Sequence, residues 1–466
     1  MHLSLGIDLG TTSITLLALE VPTGAVVAQR TSATPCLDRP EGVAALWSHL
    51  VGELRELTAL LGTRRTDLVA LGITGQQHGI LGWHPHSATV RTPFFGWQDR
   101  RGEAAHPDGG TWAEQARRRV GDAPLRTGCR LRSGYGAVTL FTLGDSWPTD
   151  CQALTLMDAF AAHLTGMPPR TEATCAASLG AWDVQAGQWD QPTLEALKLS
   201  PTVFPDGVPA GTVLGGLRAE WATACGLPTG LPVVVPLGDN QASFLGSVAD
   251  ADRSVLVNIG TGGQVAATAL HFVADAEIEC RPYLEGQTLL VSAGQTGGAA
   301  FATLVSFFRA VSPERDWYAE LLRAAETVPA NSEGVVCEPF FRGTRTAPER
   351  RACLTGLSEA TFTPGHLARA VLEGIARTLE AGRQRVLSLR QRPTDRLVGA
   401  GNGLRANPLL TQIVANTFGQ PLLFAHHPEE AAVGAALSGG VGVGIVASFH
   451  EAGRLLNAYE PSAIQK

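Results

Sequence analysis

Leu3, Leu5, Ile7 and Leu9 alternate with Ser4, Gly6 and Asp8, the period of a strand with one face buried. Gly10-Thr11-Thr12-Ser13 follows as a turn, and Ile14 to Leu19 reads as the return strand of a hairpin. The tip of this hairpin is small and hydroxylated, so nothing bulky separates its backbone N–H groups from an anion. The same unit recurs: Ser254 to Ile259 is apolar and β-prone, Gly260-Thr261-Gly262-Gly263 is a turn, and Gln264 to Leu270 is the return strand. Laying Leu9-Gly10-Thr11 on Ile259-Gly260-Thr261 gives an offset of 250 residues, just over half of the 466-residue chain, and sets Asn258 on Asp8. Two such hairpins predict an internal duplication, with two similar domains facing each other across a cleft suited to a ligand.

Further elements fit between them. Val43 to Leu61 has helical periodicity, and Asp67 to Thr74 reads as a strand leading into the loop Gly75-Gln76-Gln77-His78-Gly79. Asp99 to Gly128 is polar and arginine-rich, predicting helix and exposed loop, and the proline-rich stretch Pro201 to Pro236 reads mainly as connection. The strand Leu231 to Leu237 ends at Gly238-Asp239-Asn240-Gln241, and a helix is expected from Ala242 to Ala249. Late in the chain come a strand, Leu397 to Ala400, a turn, Gly401-Asn402-Gly403, and a helix, Pro408 to Phe418. Repeated strand, glycine turn and helix units predict an α/β fold with ligands at the carboxyl ends of strands. The duplication places the domain boundary between 1–249 and 250–466.

Composition narrows the function. Charged residues are 17% of the chain, the net charge is −7 and no basic block appears, so nucleic acid and anionic membrane are excluded as partners. Lys198 and Lys466 are the only lysines, and residues 1–197 contain none. A Walker phosphate loop and a protein kinase each need an early lysine, so both classes drop out. Eight scattered cysteines make no C-x-x-C spacing, and they read as small buried hydrophobes in a reducing compartment. No charged segment precedes the first strand, and the glycine-rich apolar run Ala431 to Ser448 reads as a buried helix and loop. A soluble, cytoplasmic protein is expected. His84 with His86, and His426 with His427, read as loop histidines and not as metal pairs.

Two carboxylates stand out. Asp239 follows an apolar strand and Gly238 and opens a helix, a position for an N-cap or for a general base facing a cleft. Asp8 lies inside a short strand beside the phosphate-like turn, where a hydrated divalent cation would account for it.

Taken in order, Gly6-Ile7-Asp8-Leu9-Gly10-Thr11-Thr12, Gly75-Gln76-Gln77-His78-Gly79, Trp97-Gln98-Asp99, Gly238-Asp239-Asn240, Gly260-Thr261-Gly262 and Gly401-Asn402-Gly403 with Asn407 resemble the FGGY carbohydrate kinases of the actin-like ATPase superfamily. The resemblance implies two actin-like, ribonuclease H-like ATPase domains around a central cleft, and ATP and Mg²⁺ as cofactors. It implies Asp239 as the base for a sugar hydroxyl and Asp8 as the residue holding Mg²⁺ through water. Gly10, Thr11, Thr12, Gly260 and Thr261 would bind phosphate oxygens, and Gly298, Gly403 and Asn407 would approach the adenosine. Gln77, His78, Trp97, Asp99, Asn240 and Tyr135 would line the sugar site. Gln76 to Gly79 looks like the xylulokinase and sedoheptulokinase branch, where glycerol kinases have an Arg-Glu pair. Trp97-Gln98-Asp99 with Ser133-Gly134-Tyr135-Gly136 is more similar to sedoheptulokinase, although Gln77 stands where xylulokinases often carry methionine. The implied reaction is transfer of the γ-phosphoryl group to sedoheptulose, with xylulose or another polyol as the alternative acceptor. A non-catalytic ATP-binding module would need no sugar-site carboxylate, so Asp239 counts against that class. Sugar and ATP are the expected partners, and a homodimer is left open.

Overall fold

The computed structural model describes residues 2–39, 41–344, 347, 349–455 and 459–461. The first hairpin forms as β1 (Leu3–Leu9) and β2 (Ser13–Glu20) and runs on into β3 (Ala25–Ala33). β4 (Leu68–Gly75) pairs parallel with β1. With β5 (Val213–Gly216), β6 (Pro232–Val234) and β7 (Leu237–Gly238) they make a seven-stranded sheet ordered β5-β6-β4-β1-β2-β3, with β7 also beside β4.

The second sheet holds β8 (Ser254–Ile259), β9 (Gly262–Ala269), β10 (Glu279–Pro282), β11 (Thr288–Thr296), β12 (Arg396–Ala400), β13 (Leu422–Ala425) and β14 (Tyr459–Pro461). Its order is β10-β11-β9-β8-β12-β13-β14. Each sheet has an antiparallel hairpin, a third antiparallel strand outside it, and a later strand parallel to the first, β1 with β4 and β8 with β12. The duplication expected from the turns is therefore present in the topology, and Asp8 and Asn258 stand at equivalent penultimate positions.

Helices flank both sheets: α1 (Gly42–Leu61), α2 (Asp239–Ser247), α3 (Gly298–Val311), α4 (Pro364–Arg390), α5 (Pro408–Phe418) and α6 (Glu430–Gly442). α1 sends Leu46, Leu50, Leu54 and Leu57 into a core with Leu3, Leu5 and Ile7. The alternation in β1 predicted one buried face, but Ser4 and Gly6 are buried too, because α6 lies on the other face. A Cβ on Gly6 would collide with the Ala432 carbonyl, and one on Gly72 with that of Ala435. Small residues here admit a helix backbone against the strands. The apolar run at the end of the chain is thus the buried helix expected, and it covers the first sheet although it belongs in sequence to the second half.

Two local readings are corrected. Leu231 to Leu237 splits into β6 and β7 around Pro236, which cannot donate to a ladder. Pro201 to Pro236 is more than connection, since it contributes β5 and a helix at Ala219–Cys225. Among the described residues, no helix is long and apolar enough to cross a membrane.

Candidate active site

A cavity of about 890 Å³ lies between the two hairpins, bordered by Asp8 and Gly10 on one side, Asn258 and Gly260 on the other, and Asp239 at the start of α2. Gly238 takes the N-cap position, so Asp239 is the first residue of the helix and its carboxylate is spared from capping. Burial pushes that carboxyl up to about 6, while the backbone N–H groups of Asn240 and Gln77 and the nearby Arg281 hold it down. It is ionised at neutral pH and open to the cavity.

Asp8 is pushed further, to about 7, by burial and then by the charges of Asp239 and Glu429. Its Oδ1 is buried with no protein partner. A carboxylate oxygen left unsatisfied among other acids fits a divalent cation. No group of three or more metal-ligating side chains occurs among the described residues. Mg²⁺ keeps most of its waters and takes one or two carboxylates together with substrate phosphates, so the unpartnered Asp8 oxygen is the donor that would meet it here.

The two turns differ in detail. Thr34 holds the first from behind, its hydroxyl donating to Gly10 O at 2.9 Å and its amide to Thr12 O at 3.1 Å. In the second, the Gly260 amide closes on Gly262 O at 2.9 Å and so is committed within the turn. The second turn therefore offers the cleft exposed Thr261 and the open space over Gly260. Gly298 donates to Gly260 O at 2.9 Å and borders an adjoining cavity of about 370 Å³ with Gly260, Thr261 and Arg342. Gly403 and Asn407 border neither cavity. Gly403 packs under β8, where a Cβ would stand 2.6 Å from Ile259 O, and Asn407 is a buried N-cap for α5, accepting from Leu410 N at 2.9 Å.

On the other wall, His78 and Tyr135 stack, and both line the cavity with Gln77, Trp97 and Asn240. The Gln77 side chain turns inward, donating to Thr174 O at 3.0 Å and Gln241 Oε1 at 3.1 Å, so its backbone is what serves Asp239. Trp97 is 47% exposed and ties this wall to the first turn, its indole N–H donating to Thr11 Oγ1 at 2.9 Å. Asp99 lies apart, in a forked ion pair with Arg101 at 2.9 Å.

Some residues of the site carry no local sequence signal. The helix Ala173–Ser178 is a platform: Glu172 caps it, the Thr174 hydroxyl accepts from Gly238 N at 2.8 Å, and Ser178 holds His78. Arg281 and Arg342 border the cavity from segments with no motif, and Arg132 from the position just before Ser133-Gly134-Tyr135-Gly136.

Residues 3–246 match the N-terminal domain, and residues 255–443 the C-terminal domain, of the FGGY family of carbohydrate kinases. The chain belongs to that family. Human sedoheptulokinase is 28% identical over 93% of this chain and 96% of its own length. The xylulose kinase of Rhodospirillum rubrum superposes with a TM-score of 0.85 over 99% of this chain and 93% of its own, at 24% identity. A Plasmodium falciparum glycerol kinase, solved with ADP, superposes with a TM-score of 0.83 over 100% and 95%, at 19% identity. This FGGY kinase therefore has the actin-like two-domain fold, and it acts on a carbohydrate.

Proposed function

We propose that this kinase transfers the γ-phosphoryl group of ATP to the terminal primary hydroxyl of a ketose, sedoheptulose before xylulose. The observation that carries the reading is the wall beside Asp239. There His78 stacked on Tyr135, together with Trp97 and Asn240, offers a polyhydroxylated chain aromatic faces and polar partners. The likeness to a sedoheptulokinase over nearly the full length of both chains supports the heptose. In this reading Asp239 accepts the hydroxyl's hydrogen bond and takes its proton as the phosphoryl group arrives. In-line phosphoryl transfer needs an oriented acceptor more than a strong base. Thr11, Thr12 and Thr261 hold phosphate oxygens from both sides, and Gly298 lies toward the nucleoside. Asp8 would hold Mg²⁺ through water, and the bound ion would neutralise phosphate charge. Turnover of sedoheptulose, D-xylulose, gluconate and glycerol at fixed Mg-ATP tests the assignment. The highest kcat/KM is expected for sedoheptulose, and a D-xylulose value tenfold higher would move the chain to the xylulokinase branch.

A further inference from the structure

Arg281 belongs to β10, an edge strand of the second sheet, yet its guanidinium borders the cleft next to α2 of the first half. Its position is fixed across the two halves. Cys280 N donates to Gly128 O at 3.0 Å, and Gln241 Nε2 donates to Pro282 O at 3.0 Å. Nε and Nη2 of Arg281 donate to Glu279 Oε2 at 3.0 and 2.7 Å, and Nη1 donates to Asn240 Oδ1 at 2.9 Å.

Those three bonds leave two of the five N–H groups that a guanidinium carries. The side chain is only 14% exposed, and it borders both the main cavity and a small one of about 20 Å³ shared with Tyr135 and His78. Buried donors are rarely left without an acceptor, so an oxygen entering the cleft, from ligand or water, has to take them. The charge of Arg281 is already answered by Glu279. Its remaining donors therefore suit neutral hydroxyl and carbonyl oxygens better than a second anion.

We infer that Arg281 is a specificity-determining residue that donates to oxygens of the acceptor sugar, with Glu279 as the residue that positions its guanidinium. The inference rests on the carbohydrate-kinase reading of the cleft and deepens it, because it makes the sugar site a product of both halves. It also explains why Asn240, next to Asp239, is held by the second half.

The test is steady-state kinetics on Arg281→Gln and on the double variant Arg281→Gln/Glu279→Gln. The double change removes both charges and leaves no lone buried carboxylate. Each variant is checked for folding by its thermal transition. Loss of a hydrogen bond from a charged group is worth roughly ten- to a hundredfold. The KM of the sugar that the wild type prefers should rise by that factor, more than kcat falls, while the KM of ATP stays within about twofold. An unchanged sugar KM in the folded double variant would overturn the inference, as would equal rises in both KM values. Gluconate turnover falling far more than ketose turnover would show that the guanidinium serves a carboxylate, and would overturn the neutral-acceptor assignment. A wild type that prefers xylulose or glycerol defeats the choice of sedoheptulose alone, since the Arg281 measurement is then made on that preferred sugar.

Discussion

The imidazole of His78 lies flat on the ring of Tyr135, with centroids 4.2 Å apart and planes 8° from parallel. His78 holds a positive φ of 75°, a conformation that costs about 1–3 kcal/mol and persists only when the surroundings over-determine it. Ser178 does so, accepting from the His78 amide through Oγ at 3.2 Å and from Nδ1 through its carbonyl at 2.7 Å. In the neutral ring Nε2 is then an acceptor. Tyr135→Phe keeps the stack and removes only the hydroxyl. Its kcat/KM should fall severalfold for sedoheptulose and less for xylulose. Equal losses for the two sugars would mean that the hydroxyl does not read chain length.

Gly260 and Gly10 are equivalent in sequence but not as experimental probes. A Cβ at Gly260 meets nothing within 4 Å, whereas one at Gly10 stands 2.6 Å from Ser13 O. Gly260→Val should therefore fold normally and fill phosphate space in the cleft. The expected result is a KM for ATP raised at least about tenfold, ~1.4 kcal/mol, with sugar KM little changed. If both affinities or neither respond, the second turn is only a hairpin. Gly10→Val mixes this effect with backbone displacement and should lower stability as well.

Asp239→Asn separates catalysis from stability. Loss of general-base assistance should lower kcat at least about a hundredfold in a folded protein. The native carboxyl sits near 6 against an ordinary 3.8, so between those values the folded state keeps a proton that the unfolded chain has released. Native stability then falls as pH rises from 3.8 to about 6, and stays lower above that range. The neutral amide avoids this loss. The variant should melt above the wild type at pH 8, and the gap should close below pH 4. Wild-type turnover in the folded variant would remove Asp239 from the mechanism.

What could be read in the chain before its fold was known was local. The two glycine turns, Asp239 after its strand and the α/β alternation are short-range signals, and they lie where expected. Resemblance ties Gly403 and Asn407 to the adenosine, and the structure adds what no local signal announces, that one packs under Ile259 and the other caps a helix. Ser4 and Gly6 looked like the exposed face of β1 because the helix that buries them lies more than four hundred residues away. Arg281 was hidden for the same reason. Glu279 is its neighbour on the strand, but Asn240 meets it only when that edge strand docks on a helix of the other half.

Thr174 shows how such a remote contact bears on the chemistry. Its hydroxyl donates to Glu172 Oε1 and accepts from Gly238 N at 2.8 Å, one residue before Asp239. Burial lifts the Glu172 carboxyl to about 8, so this anchor is largely uncharged at neutral pH. Thr174→Val keeps the shape but leaves the Gly238 N–H without its acceptor, a loss of about 1–3 kcal/mol. kcat should fall about tenfold or more with both KM values nearly constant, and Thr174→Ser should restore it. If serine fails where valine fails, packing is the cause and not the hydroxyl.

Closure of the cleft follows from where the halves are tied. α6 lies on the first sheet, and β10 is bonded to Gly128 and Gln241, so one edge of the second half is anchored. The second turn moves with the start of α3, because Gly298 N bonds Gly260 O at 2.9 Å and Ala299 N bonds Thr261 O at 3.0 Å. Rotation about the anchored edge would carry this unit toward Gly10 and Thr11, expelling water that could otherwise take the phosphoryl group. Sugar together with an unreactive ATP analogue should lower the radius of gyration measured by small-angle scattering. Amide exchange should slow at 260–263 and 10–12 while staying level at Cys280, whose amide is already bonded to Gly128 O. An unchanged radius at saturating ligand, or protection that appears first at Cys280, would put the hinge elsewhere or remove it.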